Sequence, residues 1–238
     1  MEKYAVIADC HGNSWALRAV LADIERRKVK QIINLGDSAD AAMDAGGVVA
    51  ILLQRQIPSL AGNYETYEPG QLTFEQETWL SSLPKTMEIG ELYCCHGSPA
   101  SDHEELLEDI ALPHVGLATP EQILQRLCGI TNPVILCAHK HVPRLVLMPT
   151  GQIIVNPGSV GWPAYWNDEP ALHVMETGSP HARYALLEQT ADGWLVDHIA
   201  VPYDWETAAE FAAQRGHALR ATALRTGRMT APDGAGKE

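Results

Sequence analysis

No stretch of this 238-residue sequence approaches the roughly 20 consecutive apolar residues that a membrane-spanning helix needs. A helical membrane span is thereby excluded. Positive charge is scarce as well: 17 Lys and Arg stand against 30 Asp and Glu, a formal net charge of −13. Such a surface repels nucleic-acid backbones and anionic membranes at long range, and no basic stripe offsets it. Bulk DNA or RNA is disfavoured as a partner, and a nuclease with it. A small anionic substrate stays open, because bound cations reverse a local field. No two cysteines have the C-x-x-C spacing, and the five of them, Cys10, Cys94, Cys95, Cys128 and Cys137, are odd in number. This argues against a thiolate metal site. All but Cys128 lie in or beside apolar runs, where buried free thiols are common, so a reducing compartment fits. Only five apolar residues, Tyr4–Ala8, precede Asp9, too few for a signal-peptide core, and a cytoplasmic protein is expected. No Pro/Gly/Ser linker or internal repeat divides the chain. One domain is expected over residues 1–226, followed by a flexible tail, 227–238, rich in small and charged residues.

What is present reads as a globular α/β protein, 46% hydrophobic and 20% charged. Short apolar runs alternate with longer amphipathic ones. Strands are predicted over Tyr4–Ala8, Gln31–Leu35, Ile57–Ala61, Val134–Ala138, Leu145–Met148 and Ile153–Val155. Met87–Ile89 and Leu92–Cys95 flank Gly90-Glu91 as a tight hairpin, and Ala182–Glu188 with Trp194–Val201 form a closing antiparallel pair. Helices are predicted from a Ser14 cap to about Arg27, over Val48–Arg55 and Thr73–Leu83, from the Thr119-Pro120-Glu121-Gln122 capping box to Cys128, and over Trp205–Arg215 as the final one. The acidic run Asp102 to Asp109 reads as a solvated helix face. The strands do not all alternate with helices, so two packed mixed sheets with helices outside fit better than one parallel sheet.

Five of the apolar runs end alike. Tyr4–Ala8 leads into Asp9-Cys10-His11-Gly12-Asn13, Gln31–Leu35 into Gly36-Asp37, and Ile57–Ala61 into Gly62-Asn63-Tyr64-Glu65. Leu92–Cys95 leads into His96-Gly97-Ser98, and Val134–Ala138 into His139-Lys140-His141. Ligand sites of open α/β sheets collect at the carboxyl ends of strands. Here five strand ends each deliver Asp, Asn or His, usually beside a glycine that lets the backbone turn sharply. Imidazole and carboxylate together suit borderline divalent cations such as Mn, Fe, Ni or Zn. Two such ions about 3.5–4 Å apart clamp a phosphoryl group and activate a water. In an extended segment residues i and i+2 share a side, so Asp9 and His11 would face one site while Cys10 faces away, and His139 and His141 likewise around Lys140. Each piece alone has an ordinary reading: Asp37 as a turn residue, Asn63 in a left-handed turn, His96 in the core. Their joint occurrence, each at a strand end, is what points to metal.

The series Asp9-x-His11, Gly36-Asp37, Gly62-Asn63, His96-Gly97 and His139-x-His141 resembles the calcineurin-like metallophosphoesterase superfamily. Asn156-Pro157-Gly158-Ser159-Val160-Gly161 and Ser179-Pro180-His181-Ala182-Arg183-Tyr184 are similar to its small bacterial and archaeal branch. The likeness spans about residues 4–204. It implies a four-layer αββα sandwich of two mixed β-sheets flanked by helices, with a dinuclear site. The resemblance places one ion on Asp9, His11, Asp37 and His141, and a second on Asp37, Asn63, His96 and His139, with Asp37 bridging.

The sequence departs from that pattern in two places. Where the family often has histidine after Gly-Asn, Tyr64 stands, followed by Glu65. Phenols ionise near pH 10, so a tyrosine is a reluctant acid at neutral pH. Tyr64 either touches substrate or packs at the pocket wall. The Arg-Gly that follows the second aspartate in protein serine/threonine phosphatases is absent from Gly36-Asp37-Ser38-Ala39-Asp40-Ala41, which argues against a protein phosphatase. Asp40 falls behind the ligands or on the surface. Asn13 contacts substrate or caps the next helix. Trp162, Tyr165 and Trp166 stack on a nucleobase, or else cover the sandwich edge or a subunit contact. His103, His114, His173, His198 and His217 fit no ligand spacing.

The reading that results is a hydrolase of small phosphodiesters or phosphomonoesters, nucleotides among them, acting through metal-activated hydroxide on phosphorus. Asp37, Asn63, His96 and Tyr64 are the residues expected to act in the reaction. The competing reading is a non-catalytic metal-binding scaffold for protein partners, as in the retromer subunit of this fold. A scaffold need not keep all seven ligand positions, and all seven are here. The oligomeric state is open, a homodimer included.

Overall fold

The computed structural model describes residues 2–111 and 114–231. In chain order the elements are β1 (Lys3–Ile7), α1 (Ser14–Arg26), β2 (Gln31–Asn34), α2 (Ala45–Gln54), α3 (Phe74–Ser81), β3 (Thr86–Ile89), β4 (Leu92–Cys95), β5 (Glu108–Ala111) and β6 (His114–Leu117). They continue with α4 (Pro120–Arg126), β7 (Val134–Leu136), β8 (Arg144–Leu147), β9 (Ile153–Asn156), β10 (Ala164–Asn167), β11 (His173–Glu176), β12 (Ala182–Thr190), β13 (Gly193–Val201), α5 (Trp205–Gln214) and α6 (Ala218–Thr226). Two main sheets form, ordered β13-β12-β1-β2 and β3-β4-β7-β9-β8. Each is mixed: β1–β2 and β4–β7–β9 run parallel, and their outer partners antiparallel.

The period-2 alternation of the strands decides the layering. Tyr4 and Val6 of β1 point inward to Cys94, Leu136 and Val155 of the facing sheet, where one apolar cluster holds the sheets together. Ala5 and Ile7 point the other way, onto Leu17, Leu21 and Leu52 of α1 and α2. On the far side Tyr93, Cys95, Ile135 and Ile154 meet Ile123 and Leu127 at α4. Helix, sheet, sheet and helix thus stack as the expected αββα sandwich. No helix among the described residues is long and apolar enough to cross a membrane.

Several local expectations need correction. Ile57–Ala61 is not a ladder strand. It makes one isolated bridge, Asn34 with Ser59, because Pro58 has no N–H to donate and offers only its carbonyl to Asn34 (2.9 Å). The α1 cap is Asn13 rather than Ser14: its Oδ1 accepts from the Ala16 N–H at 3.1 Å, while the Ser14 hydroxyl donates to Asp44 at 2.6 Å. Asp44 in turn caps α2, which starts at Ala45, ahead of Val48. The run Asp102 to Asp109 is loop and the start of β5, not a helix face, and its Glu105 and Glu108 pair with Lys140 and Arg144 (2.7 Å each). Trp205–Arg215 is followed by a further helix, α6, capped by Gly227 in the left-handed conformation. Of the tail expected from residue 227, residues 232–238 lie outside the described part.

Candidate metal centre

The carboxyl ends of β1, β2, β4 and β7 meet at one rim, and the loops there carry the predicted ligands. The loops do not continue the strands. Asp9, His11, Asp37, His139 and His141 all have φ between 42° and 72°. Non-glycine residues seldom sit there, and such strain clusters where side chains must be aimed. The expectation that Asp-x-His and His-x-His stay extended is therefore wrong, although both pairs do reach the site. Backbone bonds lock the first two loops together: Asp9 N–H donates to Gly36 O (3.0 Å), His11 N–H to Asp37 O and Gly12 N–H to Ser38 O (2.9 Å each). Gly62 backs directly onto Asp37, where a Cβ would collide with the carboxylate.

Ligand atoms of Asp9, His11, Asp37 and His141 lie within 4.8 Å of one another, all buried. His11 Nε2 stands 3.2 Å from His141 Nε2 and 3.4 Å from Asp37 Oδ2, and His141 Nε2 is 3.5 Å from Asp9 Oδ1. Next to this group Asn63 Oδ1 is 2.9 Å from both His96 Nε2 and His139 Nδ1, and Asp37 Oδ2 is 3.4 Å from His96 Nε2. All seven predicted residues thus come together, and His-x-His splits between the two groups. Asp37 alone touches both.

The donor chemistry fits a cation. His96 Nδ1 donates to Leu35 O (2.9 Å) and His141 Nδ1 to Trp162 O (2.7 Å), which leaves each Nε2 lone pair facing the site in the neutral ring. Both carboxylate oxygens of Asp9 are buried without a hydrogen-bond donor. Two bare carboxylate oxygens beside imidazole nitrogens are an arrangement that a metal satisfies. Without a cation, protonated imidazole takes the place that a metal would fill beside Asp37. Burial disfavours charge on Asp37, yet His96 and His11 hold its carboxyl well below the usual carboxylate range. Burial likewise opposes charge on His96, but Asp37 outweighs it and pushes the imidazole up to about 10. Burial lowers His139 and His141, keeping them in the neutral form that binds metal.

Other predicted residues sort themselves by contact. The backbone N–H of Tyr64 donates to Asp37 Oδ1 at 2.8 Å, while the residue as a whole is 41% exposed and its ring lies 5.6 Å from that of His11. Glu65 accepts from Ser38 and Ala39 N–H (3.1 and 2.8 Å), tying this turn to the Asp37 loop. Asn13 is engaged as a cap, and its amide donates to Gly161 O (3.1 Å) and Tyr203 Oη (3.1 Å). In the Asn-Pro-Gly-Ser segment, Ser159 Oγ donates to Asp9 O (2.8 Å) and Asn156 Nδ2 to Ala138 O (2.9 Å), so that motif holds two ligand loops in place. A cleft of about 220 Å³ opens over the ligands, walled by Tyr64, Trp162, Tyr165 and Trp166. Cys10, Cys94, Cys95 and Cys137 are free and buried, and none belongs to the cluster. Sequence reading left the role of Asp40 open and missed Arg220, which reaches the site from α6. No spacing ties position 220 to the first 140 residues.

Residues 3–179 match the model of the calcineurin-like phosphoesterase superfamily domain. The chain belongs to that superfamily. It is accordingly a metal-dependent phosphoric ester hydrolase. This calcineurin-like phosphoesterase is similar to an uncharacterized protein of Methanocaldococcus jannaschii, 24% identical over an alignment of 244 positions that covers 87% of this chain and 90% of that one. Its fold is shared with a metallophosphoesterase from Sphaerobacter thermophilus (TM-score 0.69, 22% identity, 94% of this chain and 99% of that one). It is also shared with a hypothetical protein from Pyrococcus horikoshii (TM-score 0.70, 19% identity, 97% and 100%).

Proposed function

We propose that this phosphoesterase works with two divalent cations, one held by Asp9, His11, Asp37 and His141, the other by Asp37, Asn63, His96 and His139, and hydrolyses small phosphodiesters or phosphomonoesters such as nucleotides. The observation that carries the reading is the place of Asp37: one carboxylate reaches both ligand groups, 3.4 Å from His11 on one side and from His96 on the other. When bound, the cations would supply an activated water and neutralise charge on the phosphoryl oxygens. The chain does the rest. Backbone carbonyls of Leu35 and Trp162 accept from His96 and His141 Nδ1 and so fix which nitrogen faces the site, Tyr64 N–H holds Asp37 in register, and the aromatic walls limit the cleft to a small ester. The −13 charge keeps nucleic acid away and leaves the metal-lined cleft as the place an anion can enter.

The test is hydrolysis of bis-p-nitrophenyl phosphate and p-nitrophenyl phosphate by chelated protein with Mn, Ni, Zn or Mg added back. Turnover restored by metal supports the proposal, and the preferred ester sets its class. A protein that binds two ions per chain yet turns over neither ester with any of them would point to the scaffold reading.

The ligand assignment has a consequence for stability. Asp9 buries two unpartnered carboxylate oxygens, which favours metal over the empty protein. Asp9→Asn should therefore raise the stability of the chelated protein by about 1–2 kcal/mol, the gain usual when a functional strain is relieved. Excess Mn2+ should reverse the order, because wild type then gains about 2.7 kcal/mol at 100 times its Kd and the variant less. Thermal melts with EDTA and with Mn2+ measure both; an Asp9→Asn protein less stable than wild type in EDTA would contradict the assignment.

A further inference from the structure

Helix α6 lies beyond residue 179, where the match to the family ends, yet it sends one charged side chain into the site. Arg220 is 7% exposed. Its Nη2 donates to Asp40 Oδ2 at 2.6 Å, and its guanidinium carbon sits 3.3 Å from the centre of the Trp162 ring. Both groups that it grips pack on His11. Asp40, itself 1% exposed, holds Oδ2 3.4 Å from His11 Nδ1, at ion-pair distance from a buried nitrogen that makes no hydrogen bond. Trp162 stands edge to face with the same imidazole, ring centres 4.8 Å apart at 83°. The Trp162 carbonyl is also the acceptor for His141 Nδ1.

We propose that Arg220 is a positioning residue for the metal centre, clamping Asp40 and Trp162 around His11 so that His11 keeps its proton on Nδ1 and turns a bare Nε2 to the cations. The proposal rests on the ligand reading above and adds to it a group on the C-terminal helix. A purely structural role accounts for the contacts less well. α6 already docks on α5 through Ala221 and Leu224 against Ala208, Ala209 and Ala212, and a buried ion pair adds little stability over apolar packing of the same shape. What the pair does supply is a fixed carboxylate behind a ligand imidazole, the partner that sets its tautomer and basicity. Arginine suits this post better than lysine, because its planar group can donate in its plane to Asp40 while its face lies on Trp162.

The experiment compares wild type with Arg220→Gln, Asp40→Asn and the double variant, and with Arg225→Gln as a control. Arg225 is on the same helix but forms an exposed pair with Glu206. Two quantities are read on the chelated protein: Mn2+ affinity and stoichiometry by calorimetry, and the His11 tautomer by long-range 1H–15N correlation of the imidazole. Arg220→Gln and Asp40→Asn are expected to weaken binding of one ion about 10- to 100-fold and to give a mixed His11 tautomer, with Arg225→Gln like wild type. Should Arg220→Gln not fold, the double variant decides, since it leaves no unpaired buried charge. Folded variants with wild-type affinity and an unchanged His11 tautomer overturn the proposal. The tautomer is read without metal, so wild type that bound no Mn2+ would refute the ligand reading, while the His11 signal still judged Arg220.

Discussion

Replacing Asp37 with asparagine is expected to cut metal-restored hydrolysis by at least about 10³-fold while the fold survives. Polarisation and charge neutralisation by bound metal are worth several kcal/mol, and about 4 kcal/mol corresponds to three decades in rate. The fold survives because an amide oxygen can still accept from Tyr64 N–H and because the Asp9–Gly36, His11–Asp37 and Gly12–Ser38 bonds are made by backbone. The chemistry fails for two reasons. Asparagine removes the one negative charge shared by both ligand groups, and it can turn an N–H2 donor toward His11 or His96, whose lone pairs are needed for metal. Asn63→Ala makes a useful contrast, since it strips a neutral ligand from one group only and should lose less. The assay is turnover of bis-p-nitrophenyl phosphate at saturating Mn2+, with circular dichroism to confirm folding. An Asp37→Asn protein with a rate within tenfold of wild type would rule out a bridging role.

The candidate metal site was legible in the sequence because its pattern is local. Each candidate ligand follows an apolar run and sits beside a sharp turn, and those signals need only a few neighbouring residues. The sandwich was legible for the same reason: alternation in β1 and β4 directs one set of residues to the other sheet and one to helices. What could not be read depended on partners far along the chain. Asp102 to Asp109 carries charge enough for a solvated face, but Lys140 and Arg144, more than 30 residues on, draw Glu105 and Glu108 inward. The Asp-x-His argument failed because strand alternation was extended past the strand. β1 stops at Ile7, and the ligands are aimed by left-handed backbone held by the Asp37 loop rather than by pleat. Arg220 shows the same limit at its extreme: an exposed-type residue on a short, weakly patterned helix, its role set by Asp40, 180 positions away.

Aryl phosphodiesters are expected to turn over far faster than alkyl ones, by more than the difference that a well-placed general acid would leave. An acid near the departing oxygen contributes about 10²–10⁴-fold, chiefly where the leaving group is poor. Among the described residues the cleft offers no good candidate for that acid. Tyr64 occupies the position where histidine is common in the superfamily, and the residue is half-exposed at the wall. Trp162 offers only an indole N–H, which does not ionise near neutrality. The two histidines that line the cleft beside His11 are already engaged, His141 Nδ1 with Trp162 O and His139 Nδ1 with Asn63 Oδ1, and burial keeps both neutral. The leaving oxygen must depart as an anion or take its proton from solvent, so the barrier follows the acidity of the leaving alcohol. Two variants separate this from a simple binding preference. Tyr64→His should raise kcat on a methyl phosphodiester at least about tenfold and change the p-nitrophenyl rate little. Tyr64→Phe should leave both rates near wild type, since the backbone N–H that holds Asp37 is kept. Equal kcat values for aryl and alkyl diesters in wild type would mean that a proton is delivered after all. A loss confined to the alkyl ester in Tyr64→Phe would identify the tyrosine as its source.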